Sequence, residues 1–294
     1  MEKLYNKLRH ELPGRLRNDG GYLSESRVTQ RAIVALRAFR PDRVLVVRGD
    51  VLQADFWAET ASISVQPVLW LYDELRRMTY KLEGIGALGR IASYSPLDVV
   101  ALRELGVSAE YVPLAFDPGI RLPPRTETKD VSFIGARFAK RERYLTALFD
   151  AGLPVRAYGR DWSNHPVDRL RTFRRSRNSI PAGRDLPLNR AWGVMRDSLA
   201  TLNIHGDQDG FTMRTFEACG VGAVQLIDRQ DLEDLFEPGR ELLTFDEEAE
   251  LLDHAERAVK YPAELTALRE AARQRALSQH TFVHRARQLE ELWG

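Results

Sequence analysis

The stretch from Asn203 to Gly222, NIHGDQDGFTMRTFEACGVG, holds the densest set of groups suited to binding an anion and a polyol. A strand ending near Ile204 leads through a polar loop into a short helix that starts around Gly210, Phe211 and Thr212. Free N–H groups and the helix dipole favour an anion at such a start. Thr212 is a residue of N-cap type. Arg214 falls in the first turn, where a cation is unfavourable beside the positive end of the dipole. An anionic ligand would remove that conflict. Asp209 and Glu217 stand eight residues apart. A loop carboxylate and a helix carboxylate at that spacing can face one cleft and accept hydrogen bonds from sugar or ribose hydroxyls. Glu217 also reads as a solvated helix residue, although its neighbours Phe216, Ala218 and Cys219 read as core.

Other candidates follow apolar runs. Gly135, Ala136 and Arg137 come after Val131–Ile134: a small-residue turn admits a ligand close to the backbone, and an arginine can grip a phosphate bidentately. The same residues suit an ordinary strand-to-helix turn with a surface arginine. His205 follows a strand and points either into a cleft or into the core. The other histidines are His10, His165, His254, His280 and His284. Only His280 and His284 share a compact spacing, and that pair lacks the HExxH glutamate, so no metal site is expected. Asp73 and Glu74 follow Leu71-Tyr72. An acid there is a general base, a hydroxyl binder or a helix cap, and Asp50 after Arg48-Gly49 carries the same alternatives. No Ser-His-Asp set, GxxxxGK[ST] loop or GxGxxG fingerprint occurs, which speaks against a P-loop NTPase and a dinucleotide dehydrogenase. Asp168 to Arg184 carries six arginines at 169, 171, 174, 175, 177 and 184. It reads as a solvated face, with a polyanion or a membrane surface as the alternative.

These groups need a scaffold that brings strand ends together. Apolar runs at 43–48, 67–72, 90–94 and 109–114 alternate with helical patterns at 28–39 and 96–105, the latter opened by Ser95-Pro96. Runs apolar on both faces suit a parallel sheet. The segment FDPGIRLPPRTETK, 116–129, has linker composition. A second alternation follows, with strands at 131–135, 155–159, 199–204 and 223–227, helices at 140–150 and 188–197, and two or three helices from Glu247 to Trp293. The expectation is an α/β protein of two domains, 1–120 and 121–294, with a helical tail. About 40 residues precede the first clear strand, so the N-terminal domain reads as reduced.

The chain has 294 residues, 44% apolar and 29% charged, with a net charge of +1. That balance is globular and makes nucleic acid an improbable partner. The single cysteine, Cys219, excludes a disulfide framework. No apolar run suits a membrane span and the N-terminus has no apolar signal region, so a cytoplasmic location is expected.

The segment Gly210–Ala223 resembles the donor-site segment of GT-B glycosyltransferases, nearest to the spore-maturation CgeB-like group within the glycosyl transferases group 1 C-terminal domain family. Asp130–Gly135, Tyr158–Trp162, Leu202–His205, Phe236–Glu241 and His280–Arg285 fit the same pattern. Arg48-Gly49-Asp50, Phe56-Trp57 and Leu69–Asp73 fit it in the first domain. The resemblance covers about residues 40 to 292.

It implies two Rossmann-like domains facing across a cleft, with a nucleotide-sugar held mainly by the second. Asp209 and Glu217 stand at the two positions of the family's E-x7-E pair, the first departing from glutamate. Glu217 would bind the ribose, Arg137 and Arg214 the diphosphate, and Gly159, Arg160 and the residues up to Trp162 would lie near the base. Gly135, His205, Gly210, Phe211 and Thr212 complete the implied donor site. Arg214 would stabilise charge on the leaving diphosphate and Asp73 would act as base toward an acceptor hydroxyl. No metal or cofactor is implied beyond the donor itself. The alternatives are a non-catalytic nucleotide-sugar-binding protein of spore or envelope assembly, and a nucleotide-sugar epimerase or hydrolase.

Overall fold

The computed structural model describes residues 22–173, 178–232 and 234–294. The N-terminal reading, His10, and Arg174, Arg175 and Arg177 of the arginine-rich stretch lie outside the described residues. The chain divides into two compact units, Met1–Pro113 with Ala286–Gly294, and Leu114–Arg285.

The first unit opens with α1 (Tyr22–Phe39), which buries Ile33 and Leu36. It continues through β1 (Leu45–Val47), α2 (Ala54–Ser62), β2 (Val68–Leu71), α3 (Leu82–Ile85), β3 (Arg90–Ser93), α4 (Pro96–Glu104) and β4 (Ala109–Tyr111). The strands form a parallel sheet in the order β1-β2-β3-β4. Strand β2 lies inside it and all four of its residues are buried. That accounts for its uninterrupted apolar run. The Ser95 hydroxyl accepts the Asp98 amide at 3.0 Å and Pro96 occupies the first turn of α4, as Ser95-Pro96 predicts.

The second unit runs β5 (Val131–Ile134), α5 (Ala139–Asp150), β6 (Val155–Tyr158), α6 (Pro166–Arg171), β7 (Ala182–Gly183), α7 (Leu188–Asp197) and β8 (Ala200–Asn203). It continues with α8 (Met213–Gly220), β9 (Gln225–Ile227), β10 (Leu243–Thr244), α9 (Glu248–Lys260), α10 (Thr266–Gln279) and the start of α11 (Phe282–Glu291). Its six strands are all parallel, in the order β10-β9-β8-β5-β6-β7. Strands β7 and β10 have two residues each, too few to leave a periodicity in the sequence. The core joins Val131, Phe133, Leu145, Leu202 and Leu226 to Leu251 and Leu268 of the tail helices.

His280 pins the turn between α10 and α11. Its Nε2 lies 2.8 Å from the Leu235 carbonyl oxygen and its Nδ1 2.8 Å from Arg285 Nη2. Burial, outweighing the hydrogen bond to Leu235, brings its pKa down to about 4. No helix among the described residues is long and apolar enough to cross a membrane.

Candidate functional site

In the second sheet the chain runs from β5 outward to β6 and β7, then returns to build β8, β9 and β10 on the other side. The order therefore reverses between β5 and β8. The loops leaving their carboxyl ends diverge there, and such a switch point is where open parallel sheets bind ligands.

The loop after β5 carries Gly135, Ala136 and Arg137. The loop after β6 carries Gly159 and Arg160. Gly135, Ala136, Gly159 and Arg160, together with Tyr158 and Asp185, line a pocket of about 360 Å³. Gly159 has φ +153°, and a Cβ built on it would lie 2.6 Å from the Gly135 carbonyl oxygen. The two turns approach so closely because neither has a side chain there. The Arg160 amide donates to Asp185 Oδ1 at 2.7 Å, and its guanidinium lies 3.1 Å from Asp185 Oδ2. Arg137 pairs with Glu142 and stacks 5.3 Å from the Trp162 ring centre. Trp162 in turn donates to the Gly135 carbonyl at 3.0 Å. Arg137 is thus a braced, largely buried side chain rather than a free surface arginine.

From β8 the chain passes through His205 into the 206–211 loop. Asp228, at the end of β9, accepts the His205 amide at 2.8 Å and lies 3.1 Å from His205 Nδ1 through the same oxygen. Its other oxygen is 2.6 Å from Lys140 Nζ. Burial alone would raise the Asp228 carboxyl, but the bonds from His205 and Lys140 overcome it and hold the group below the usual carboxylate range. His205 is buried edge-on to Phe211, with ring centres 5.7 Å apart. Arg229 covers the other part of this loop: it lies 4.4 Å from the Phe211 ring centre and donates to the Gln208 and Asp209 carbonyls at 3.0 and 2.7 Å. Asp209 is therefore fixed through its backbone, and Gly210 and Phe211 are buried behind it.

Helix α8 follows at once. Thr212 occupies its N-cap position, but its hydroxyl makes no capping bond. The expectation of a threonine cap is corrected on that point: its ψ of 161° suits a cap, yet the first-turn amides are not satisfied by this side chain. Arg214 Nη1 lies 3.3 Å from Glu217 Oε2, one turn along. The Glu217 side chain is 4% exposed, so it is not a solvated helix residue. Burial pushes its carboxyl above the ordinary value, partly opposed by the Arg214 guanidinium. Asn203 Nδ2 donates to Thr215 Oγ1 at 3.0 Å and Gln225 Oε1 at 3.1 Å, locking α8 to β8 and β9. Cys219, two residues beyond Glu217, is fully buried, and burial pushes its thiol up.

Three groups at this edge were not singled out from the sequence: Asp228, Lys140 and Arg141. Arg141 donates from Nε and Nη2 to the Ile204 carbonyl at 2.9 and 2.8 Å and from Nη1 to the Ala136 carbonyl at 3.1 Å. It ties the ends of β5 and β8 together. Burial lowers its pKa, with Asp228 opposing and Arg214 assisting that shift. Asp228 directly follows a strand, the same signal that marks His205. Lys140 and Arg141 are hidden in a charged helix start, KRER.

Asp73 belongs to the first unit. Its Oδ1 accepts the Glu74 amide at 3.0 Å, and Oδ2 lies 3.6 Å from Arg48 Nη1. Arg48 also donates to Asp50 Oδ1 at 3.0 Å. The Tyr80 hydroxyl donates to the Arg48 carbonyl at 2.7 Å. These groups gather at the carboxyl ends of β1 and β2, with Asp73 28% exposed.

Residues 140–291 match the family described as glycosyl transferase-like. Comparison with curated protein sequences gives no match. Among solved structures, Anabaena HepE in complex with UDP-glucose superposes with a TM-score of 0.63 at 12% identity, over 92% of this chain and 81% of that one. Sucrose-phosphate synthase from Thermosynechococcus elongatus gives 0.59 at 13% identity, over 90% and 77%. T4 phage β-glucosyltransferase gives 0.57 at 18% identity, over 85% and 80%.

Proposed function

The chain belongs to the glycosyl transferase-like family, and from that premise we propose that it moves a sugar from a nucleoside-diphosphate sugar, UDP-linked, to an acceptor hydroxyl without a metal cofactor. Its fold is that of the GT-B glycosyltransferases. The observation that carries the donor assignment is the pairing of the buried Glu217 carboxylate with Arg214 of the first turn of α8, beside the switch point. UDP as the nucleotide is supported by HepE and the T4 enzyme, whose structures are described with UDP-glucose.

In this reading Glu217 accepts hydrogen bonds from the ribose hydroxyls, and Gly135, Gly159 and Arg160 shape the pocket beside the base. The acceptor oxygen bonds to the anomeric carbon, the bond from that carbon to the diphosphate breaks, and the diphosphate departs with the electron pair. Arg214, Arg137 and the amides at Gly210, Phe211 and Thr212 meet the charge as it develops. Asp73 takes the acceptor proton. His205 and Asp209 hold the loop against the donor sugar. The CgeB-like group is the finer placement, supported by the motif order between residues 40 and 292.

The test is nucleoside-diphosphate release from UDP-sugars with and without candidate acceptors, alongside calorimetric binding. Release only with an acceptor supports transfer. Release without one supports a hydrolase, and binding without either product supports a non-catalytic binding protein.

A further inference from the structure

The arginine-rich stretch takes no part in the donor site, and its described portion has an unusual surface. Helix α6 is anchored through Asp168. The Asp168 carboxylate, buried, takes Arg184 Nε and Nη2 at 2.7 and 3.0 Å. His165 Nδ1 accepts the Val167 amide at 3.3 Å, and the Thr172 hydroxyl donates to the Asp168 carbonyl at 2.9 Å. The opposite side shows apolar groups to solvent. Leu170 is 76% exposed, Phe173 is 90% exposed, and Val167, three residues before Leu170, is 44% exposed. Phe173 has φ 55°, a conformation that is uncommon for an aromatic residue.

Charge accompanies these groups with one sign. Asp168 is the one acid between Ser163 and Phe173, and it is turned inward onto Arg184. Arg171, adjacent to Leu170, is exposed. Exposed valine, leucine and phenylalanine side chains beside an exposed arginine, with the neighbouring acid turned inward, suit an interfacial membrane-binding surface. A polyanion such as RNA would use the arginines but would gain nothing from Val167 and Leu170.

We propose that the outer face of α6 and the turn after it, Val167, Leu170, Arg171 and Phe173, docks on an anionic lipid bilayer by inserting its apolar side chains at the headgroup level. The experiment is sedimentation of the full chain with vesicles of phosphatidylglycerol and phosphatidylcholine, and with phosphatidylcholine alone. The full chain is expected to bind the anionic vesicles, more weakly as salt rises, and to bind the zwitterionic ones poorly. The double variant Leu170→Ser, Phe173→Ser is expected to lower partitioning by about tenfold or more, since each loses a membrane-inserted apolar side chain. Arg171→Glu is a second variant that leaves the apolar groups in place, and it is expected to weaken binding to anionic vesicles alone. All three positions are exposed, so nucleotide binding serves as the control for folding. No binding to anionic vesicles overturns the proposal. So does binding unchanged in both variants, and so does retention of the chain by RNA instead of vesicles.

Discussion

The carboxylate of Glu217 and the guanidinium of Arg214 lie 3.3 Å apart across one turn of α8, with the acid 4% exposed and the arginine 26% exposed. The pair is therefore asymmetric: the acid is the inner member and the arginine keeps contact with the open edge. Removing the arginine leaves a buried carboxylate without its cation. Arg214→Ala is expected to weaken binding of a nucleoside diphosphate by about 1.5–3 kcal/mol, the range for hydrogen bonds to charged groups. The matching nucleoside should bind nearly as before. Calorimetric titration of both ligands checks this, and equal losses would remove Arg214 from the diphosphate.

Glu217→Gln keeps the shape of the side chain and one acceptor oxygen. It should cost donor binding about 1.5–3 kcal/mol, and Glu217→Ala at least as much. Its effect on stability has a definite sign. The folded-state pKa of Glu217 is raised by burial, so the wild type is favoured below the unfolded value and loses this contribution as pH rises through the folded one. The Gln variant lacks that dependence. Urea unfolding across that window, compared with wild type, reads it directly; wild-type affinity for the donor in both variants would dismiss the ribose role.

Asp73→Asn should leave donor affinity unchanged and reduce the turnover number by roughly 10²–10⁴-fold, the usual contribution of a general base. Its ion pair with Arg48 is long, at 3.6 Å, and partly exposed, so folding should survive. Steady-state kinetics with saturating donor separates the two effects, and undiminished turnover would assign the base elsewhere.

Gly159→Ala places a methyl group 2.6 Å from the Gly135 carbonyl oxygen at φ +153°. Destabilisation of about 1–3 kcal/mol is expected from the backbone conformation alone, together with a narrowed pocket. Denaturant unfolding and nucleotide titration measure both, and an unperturbed variant would show that the two turns can separate freely.

His280 has a folded pKa of about 4 against 6.5 unfolded. Its contribution is complete above pH 6.5 and is lost as pH falls toward 4, because the unfolded chain binds the proton and the folded one does not. Full loss is on the order of 3 kcal/mol. Unfolding curves between pH 4.5 and 7 should show wild type weakening on acidification more steeply than His280→Gln.

Much of this was legible because the sheets are parallel and buried. Val68–Leu71 and Val131–Ile134 stand out as apolar runs, and α7 follows its helical pattern from Leu188 to Asp197. Strands β7 and β10 left no such mark. At the site, position relative to a strand end pointed to Gly135, Gly159 and His205, and Asp228 obeys the same rule. Arg141 does not: its three bonds go to the carbonyls of Ile204 and Ala136, contacts set by sheet order rather than local sequence. The missing capping bond of Thr212 was equally hidden, because residue type gives capping capacity and rotamer decides its use.

Cys219 gives the molecule an internal clock. It is the single cysteine of the chain, it sits on α8 with no exposed surface, and its thiol is held protonated by burial. The thiolate is the form that attacks an alkylating reagent, so the side chain can react only while α8 is transiently open. The rate at which one sulfur is capped therefore counts openings of the helix that bears Arg214 and Glu217. No label has to be engineered for it, and a ligand that steadies that helix lengthens the interval between ticks.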